Sequence, residues 1–368
     1  MAYSKRKWKR HNSRRLAKII SYKETVLANH TFIVPRRLDL EGAFGFVAEL
    51  KRAPEAEEYI FDFSYLKWVE PFSLLYISCA IAIFDGLKEK SKVGVSNYKN
   101  FACGYASHLG FFKSFRIDHG KMPGEARNSS NYIPITILNI EDLKQEASEK
   151  RVPVGEILEI HADEYAKVIT REKDGALVDT LKFTLREMMR NVVEHSGATQ
   201  IGFCAQYWPS RNIVELSILD TGRGLRDSLL GNPYLDKDMD DTAAINYALL
   251  PGISGTMFKG KFSDPYDEWQ NSGYGLYMAS EICRHGGDFV ICSGRSAMKL
   301  ESKEKSYYES PLNATAIRMR LNTEDLRPTK ESLGEYRKKG ERVAKEIYGA
   351  NLSASAASSM LTKDFSES

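Results

Sequence analysis

The sequence predicts a mixed α/β (α+β) protein built from two folded units. Three observations lead there. Short runs of β-branched and aromatic residues alternate with helical stretches from about Glu24 to Ile140. Beyond them, Leu177, Leu181, Leu185, Met188, Met189 and Val192 recur at helical spacing, and two strand-like runs follow directly. With 368 residues, 42% of them apolar and 27% charged, the chain suits two or three soluble domains with real cores.

The elements follow in order. Thr31–Val34 and Tyr59–Phe63 have the composition of strands. Pro71 to Phe84 reads as a buried helix, its proline placed early where the missing N–H costs nothing. Val93–Val95 reads as a strand and Tyr105–Phe112 as a helix, and the Gly, Pro, Asn and Ser residues of 119–135 mark a loop. Gly197 is placed to close the helix that ends at His195. Gln200–Tyr207 and Ile213–Leu219 form a predicted hairpin around Arg211-Asn212. Leu225 to Asn271 is poorly periodic apart from Thr242–Leu250, and loops of that length commonly act as lids. Tyr277–Arg284 reads as a helix, Asp288–Cys292 and Ala314–Leu321 as strands, and Lys330–Tyr348 as a charged helix. The Ser/Ala-rich residues from 353 on are expected to be disordered.

The formal net charge of +3, from 52 basic and 49 acidic residues, is a property of one end. Lys5, Arg6, Lys7, Lys9, Arg10, Arg14, Arg15 and Lys18 precede the first acid, Glu24; without them the body carries 44 basic against 49 acidic residues, a balance of −5. Such an arm is expected to be solvated and flexible, with nucleic-acid or anionic-lipid binding its only charged alternative. It lacks the apolar segment of a secretory signal, and no stretch approaches a membrane span. Five cysteines with no Cys-x-x-Cys pair argue against a disulfide framework or zinc site and for the cytoplasm.

The chemistry concentrates in one region. Glu187, Asn191 and His195 recur every fourth residue and share a helix face over roughly 12 Å. An acid, an amide and an imidazole in line are costly to bury without partners, which a hydrated Mg²⁺ and a triphosphate would supply. Asp220 ends a strand, where a carboxylate can accept a hydrogen bond from adenine's exocyclic amine. Gly222 and Gly224 would let the backbone approach the base. Gly273-Tyr274-Gly275-Leu276 then opens a helix.

Glu-x-x-x-Asn-x-x-x-His, Asp-x-Gly-x-Gly and Gly-x-Gly-Leu, in that order across about residues 150–322, resemble the GHKL (Bergerat-fold) ATPase domain. Type II topoisomerases, ninety-kilodalton heat-shock chaperones, sensor histidine kinases and mismatch-repair ATPases share that domain. The resemblance implies ATP and Mg²⁺ as ligands, with the metal on Asn191. Glu187 becomes the residue that activates water or a protein hydroxyl, and Asp220 the adenine reader, supported by Thr315. Gly273, Gly275 and Leu276 lie at the phosphates, where amides of the following helix add positive potential. His195 is either a phosphate contact or a helix cap. Tyr274 between the glycines and Ala314 before Thr315 depart from the family pattern.

Other motifs carry less. Gly255 to Lys261 looks like a phosphate-binding loop until Phe262, where a hydroxyl should stand, and no strand precedes it. His161, on the helix expected to begin the ATPase unit, reads as a packing residue rather than a phosphoacceptor. Phe61 to Ser73 resembles the strand-loop-helix of STAS domains. Glu70-Pro71-Phe72-Ser73 replaces their phosphorylatable motif, so the first unit reads as a protein-binding module and Ser64 and Ser73 as turn and helix-start residues. The expected organisation is a basic arm at 1–20, a STAS-like domain at 21–140, the ATPase at 141–325, a charged helix at 326–350 and a flexible tail at 351–368. Slow ATP hydrolysis as a conformational switch is the expected function. An anti-sigma-like serine kinase, or a non-catalytic ATP sensor in a multi-protein stress or phage-defence system, are the alternatives. A protein partner is expected through the first unit, and a homodimer stays open.

Overall fold

A computed structural model describes residues 27–126, 131–170, 172–261, 269, 272–284, 286–324 and 329–367. The basic arm and Phe262 lie outside the described residues. The first unit holds a parallel sheet of β1 (His30–Ile33), β3 (Glu58–Asp62) and β5 (Lys92–Ser96), in the order β1-β3-β5. Beside it β2 (Arg37–Leu38) pairs with β4 (Trp68–Val69). Its helices are α1 (Leu40–Lys51), α2 (Pro71–Leu87), α3 (Phe101–His108) and α4 (Phe111–Ser114). The sequence reading missed α1 because Gly42 and Gly45 interrupt its pattern. Asp39 caps it through the Gly42 N–H at 3.1 Å, and a Cβ on Gly42 would stand 2.1 Å from the Arg37 carbonyl oxygen. The helix expected over 105–112 is broken in two by Gly110 at φ +88°.

The second unit is a seven-stranded antiparallel sheet, β11-β10-β9-β12-β8-β7-β6. Its strands are β6 (Tyr132–Asn139), β7 (Gln200–Trp208), β8 (Ile213–Asp220), β9 (Asp288–Ser293), β10 (Ser296–Leu300), β11 (Lys305–Glu309) and β12 (Thr315–Asn322). The sequence reading missed β10 and β11. Strand β6 precedes the expected boundary at 140 yet pairs along β7. One face of the sheet is covered by α5 (Ile140–Lys150), α6 (Val154–Thr170), α7 (Ala176–Asn191), α10 (Gly275–Cys283) and α11 (Thr329–Ala344). Short helices α8 (Leu225–Leu229) and α9 (Asp241–Ala248) lie in the stretch expected to be a lid.

The opposite face is buried too, under the first unit. Phe289 and Ile291 of β9 belong to the helical core, whereas Val290 and Cys292 belong to a second core shared with Phe72, Leu75 and Tyr76 of α2. Buried charges join the two units. Arg320 contacts Glu70 and Glu215 at 2.7 Å each, Arg318 contacts Asp288 at 2.7 Å and Glu70 at 3.5 Å, and the Phe72 N–H donates to Glu215 at 3.0 Å. Burial raises the Glu215 pKa, opposed by Arg320 and Arg318. Ser73 is fully buried on α2 with its hydroxyl unpartnered, so the expected helix-start hydrogen bond is not made.

The carboxyl end departs from expectation. Residues 351–364 follow the second unit's surface, with Ala357, Ser358, Ser359 and Leu361 buried. Their small side chains permit close backbone approach, which composition alone had suggested was solvated tail.

Candidate functional site

Helix α7 supplies the site from its last turns, where Glu187, Met188, Arg190 and Asn191 line the cavity, while Leu181, Leu185 and Met189 are buried in the helical core. It does not run regularly to His195. After Asn191 a π-helical turn spans Val192–Ser196, and Gly197 at φ +65° ends it. Single π turns widen a helix and concentrate at functional sites. Here the turn sets His195 off a regular four-residue ladder. Glu187, Asn191 and His195 still line one cavity, together with Asp220, Gly273, Gly275, Leu276 and Thr315. The cavity and its mouth enclose about 930 Å³.

Gly222 and Gly224 are not among the lining residues. Both glycines are closely packed in this structure. A Cβ on Gly222 would stand 2.3 Å from the Ser196 carbonyl oxygen, and the Arg223 N–H donates to that oxygen at 2.7 Å. A Cβ on Gly224 would stand 2.9 Å from Ser293 Oγ. The glycines let the 220–224 loop lie against the π turn and β9.

Asp220 ends β8 directly opposite Thr315 of β12. It is 3% exposed and accepts the Gly222 N–H at 2.9 Å. Burial lifts its pKa from 3.8 to about 6, against the lowering effect of bonds from Gly222 and Ser196. An acceptor set in an apolar wall with few competing partners suits an amine-bearing base. His195 is desolvated, which lowers its pKa against the raising effect of Glu194; Arg190 and Arg223 lower it further. Its carbonyl oxygen accepts from Arg223 Nε at 2.8 Å.

At the other end of the cavity Glu187 is 3% exposed and held by two guanidinium groups. Its Oε1 lies 3.3 Å from Arg186 Nε and 3.2 Å from Arg190 Nη1. Gly275, at the start of α10, comes so close that a Cβ there would stand 2.3 Å from Glu187 Oε2. Gly273 takes φ +77°, and a Cβ on it would meet the Ile253 carbonyl oxygen at 2.6 Å. Gly273 is therefore required by its backbone neighbours and its φ, while any side chain at Gly275 would displace the Glu187 carboxylate.

Residues 176–324 match the family model of the histidine kinase-, DNA gyrase B-, and HSP90-like ATPases. The match runs from the start of α7 past the end of β12, so it contains all the motif residues above. It implies ATP binding in a GHKL-type pocket, which in this family generally takes Mg²⁺ as well. No curated protein matches the chain.

The donor set fits such a metal. Among the described residues no group of three or more His, Cys, Asp and Glu side chains could hold an ion alone. Asn191, however, lines the cavity with its buried Nδ2 lacking any hydrogen-bond partner. Mg²⁺ can take one protein oxygen plus phosphate oxygens and waters, and the Asn191 amide can turn to offer its oxygen.

The resemblance pointed to none of Arg186, Arg190, Arg223 or Ser358. The first two are buried and the last two line the cavity. Arg186 and Arg190 left one sequence signal, two arginines within the otherwise apolar register of α7. Lys259 and Lys261 pack on aromatic rings. They lie over the rings of Tyr348, at 5.6 Å, and Phe258, at 5.5 Å. His161 contacts Glu146 at 3.0 Å and stacks on Tyr165. No helix among the described residues is long and apolar enough to cross a membrane.

Proposed function

We propose that the chain is a Mg-ATP-dependent conformational switch that hydrolyses ATP slowly. Asp220 and Thr315 read adenine, and Asn191 holds the metal, which when bound neutralises phosphate charge. Glu187, oriented by its arginines, takes a proton from the attacking water. The water oxygen bonds to the γ-phosphorus as the β–γ bridging bond breaks, releasing ADP and phosphate. Gly273, Gly275 and Leu276 bring the first turn of α10 against the phosphates. The first unit, STAS-like in its 61–73 segment, serves as the protein-binding module. Buried Ser73 supports a scaffold rather than a phosphorylated switch.

The observation that carries this reading is the single cavity shared by Glu187, Asn191 and Asp220 inside the matched span. Ser358 in the same cavity favours one second reading, transfer to a seryl hydroxyl. Incubation with γ-labelled ATP separates the two. Label on free phosphate supports the switch, and label on protein supports the kinase. Calorimetry with ATP, ADP and GTP, with and without Mg²⁺, tests the pocket itself. A folded chain that ignores adenine nucleotides refutes both.

A further inference from the structure

The residues that close the chain are part of the cavity wall. Ser358 lines it, Ala357 is buried and Leu361 packs into the helical core. Three sets of bonds hold this segment. Asn351 donates its N–H to the Gly252 carbonyl at 2.8 Å and accepts the Tyr274 hydroxyl at 3.1 Å, while Ser355 meets Ser272 at 3.4 Å. At the far end, the Thr362 N–H donates to Glu159 at 3.1 Å and Lys363 contacts Asp179 at 2.6 Å.

Between them stands Arg186, wholly buried. Its Nη2 donates to the carbonyls of Ala357 and, at 2.8 Å, Met360; Nη1 pairs with Glu159, and Nε donates to Glu187 at 3.3 Å. A guanidinium is a rigid planar fork, so its acceptors on one side fix where its donors point on the other. Trp269 lies over both Arg186 and Arg190, at 5.6 and 5.8 Å, and against Gly155.

We propose that residues 351–363 form an intrinsic strap completing the catalytic end of the nucleotide site, with Arg186 as the positioning residue that transmits strap docking to Glu187. The inference rests on the ATPase reading above. Nη2 also lies 3.2 Å from Glu187 Oε1, so without the strap it loses its two carbonyl acceptors and the guanidinium re-pairs with the carboxylates of Glu159 and Glu187 alone. The base loses its set orientation, whereas the adenine end, at Asp220 and Thr315, is untouched. Because the strap follows α11 and contributes no strand to the sheet, its release costs local order rather than the fold.

The test uses the full chain with Leu361→Asp, which places a charge in an apolar seat and undocks the strap. Hydrogen exchange at 357–362 verifies the release. Turnover is expected to fall about tenfold or more, with ATP affinity from calorimetry within about threefold of the parent. Leu361→Met is expected to keep parental turnover, and removal of residues 351–368 to reproduce the Asp variant. A released strap with unchanged or faster turnover overturns the inference, as does an equal loss of affinity and rate. A parent chain that binds no ATP overturns the ATPase reading instead, which keeps the two failures distinct.

Discussion

Asp220 offers a perturbation in which binding and folding move in opposite directions. In Asp220→Asn the charged acceptor facing the base is lost. A hydrogen bond to a charged group contributes about 1.5–3 kcal/mol, so the Kd for ATP should rise roughly tenfold to 150-fold. Stability behaves otherwise. The pKa of this carboxyl is raised, from 3.8 to about 6, so the folded state holds a proton that the unfolded chain has released between those values. That contribution to stability is present at low pH and lost as the pH rises through about 6. Above it, the ionised and buried Asp220 costs on the order of 3 kcal/mol. Asparagine removes that cost and keeps an acceptor for the Gly222 N–H. The variant should melt at or above the parental temperature at pH 8 while binding ATP weakly. In the parent, ATP affinity should fall as the pH drops through about 6, a dependence the variant lacks. Calorimetry across pH 5–8 and thermal melting of the apoprotein are the assays. Parental affinity in the variant, or joint loss of stability and binding, would refute the adenine role and leave Asp220 a structural residue.

Other substitutions probe other parts of the site. Glu187→Ala should retain ATP binding within a few-fold and abolish phosphate release; lost binding would make the acid structural. Gly275→Ala introduces a methyl 2.3 Å from Glu187 Oε2, so the carboxylate must shift. Turnover should then drop about 100-fold with little change in ATP Kd, and an unaffected rate would show that this approach has no catalytic consequence. Arg318→Ala leaves Glu70 and Asp288 with one fewer buried counter-charge. It should destabilise the fold by about 3–5 kcal/mol, read as a lowered denaturation midpoint; an unchanged midpoint would mean the ion network contributes nothing to stability.

The grouping of the candidate site residues around one cavity was largely legible because their types appear in fixed order along the chain. Glu187, Asn191, His195, Asp220 and Thr315 line one cavity as a four-residue helical repeat and a strand-end acid suggest. The π turn at Val192–Ser196 was not legible, since nothing in Val-Val-Glu-His-Ser distinguishes it from α-helix. Gly222 and Gly224 were read as making room for a base, but their close neighbours, Ser196 and Ser293, are distant in sequence. Helix α1 escaped for a related reason. Gly42 looks like a helix breaker until the Arg37 carbonyl is seen against it. The docked carboxyl segment was invisible to composition. Its acceptors are backbone carbonyls, which every sequence possesses, and only Arg186 on a remote helix singles out those of Ala357 and Met360.

The central strands of the second unit's sheet, β9, β12, β8 and β7, are covered on both faces. Excising the matched span 176–324 would strip away β6, the helices that precede α7, and all of α2, laying bare the row Cys204, Leu219, Val290, Cys292 and Ala316. It would also take Glu70 from Arg318 and the Phe72 N–H from Glu215. A minimal ATPase fragment cut at those limits should therefore come out of the cell as insoluble aggregate. A partner gripping the amino-terminal half, as proposed, would lean on the reverse of the strands whose ends, at Asp220 and Thr315, border the candidate pocket.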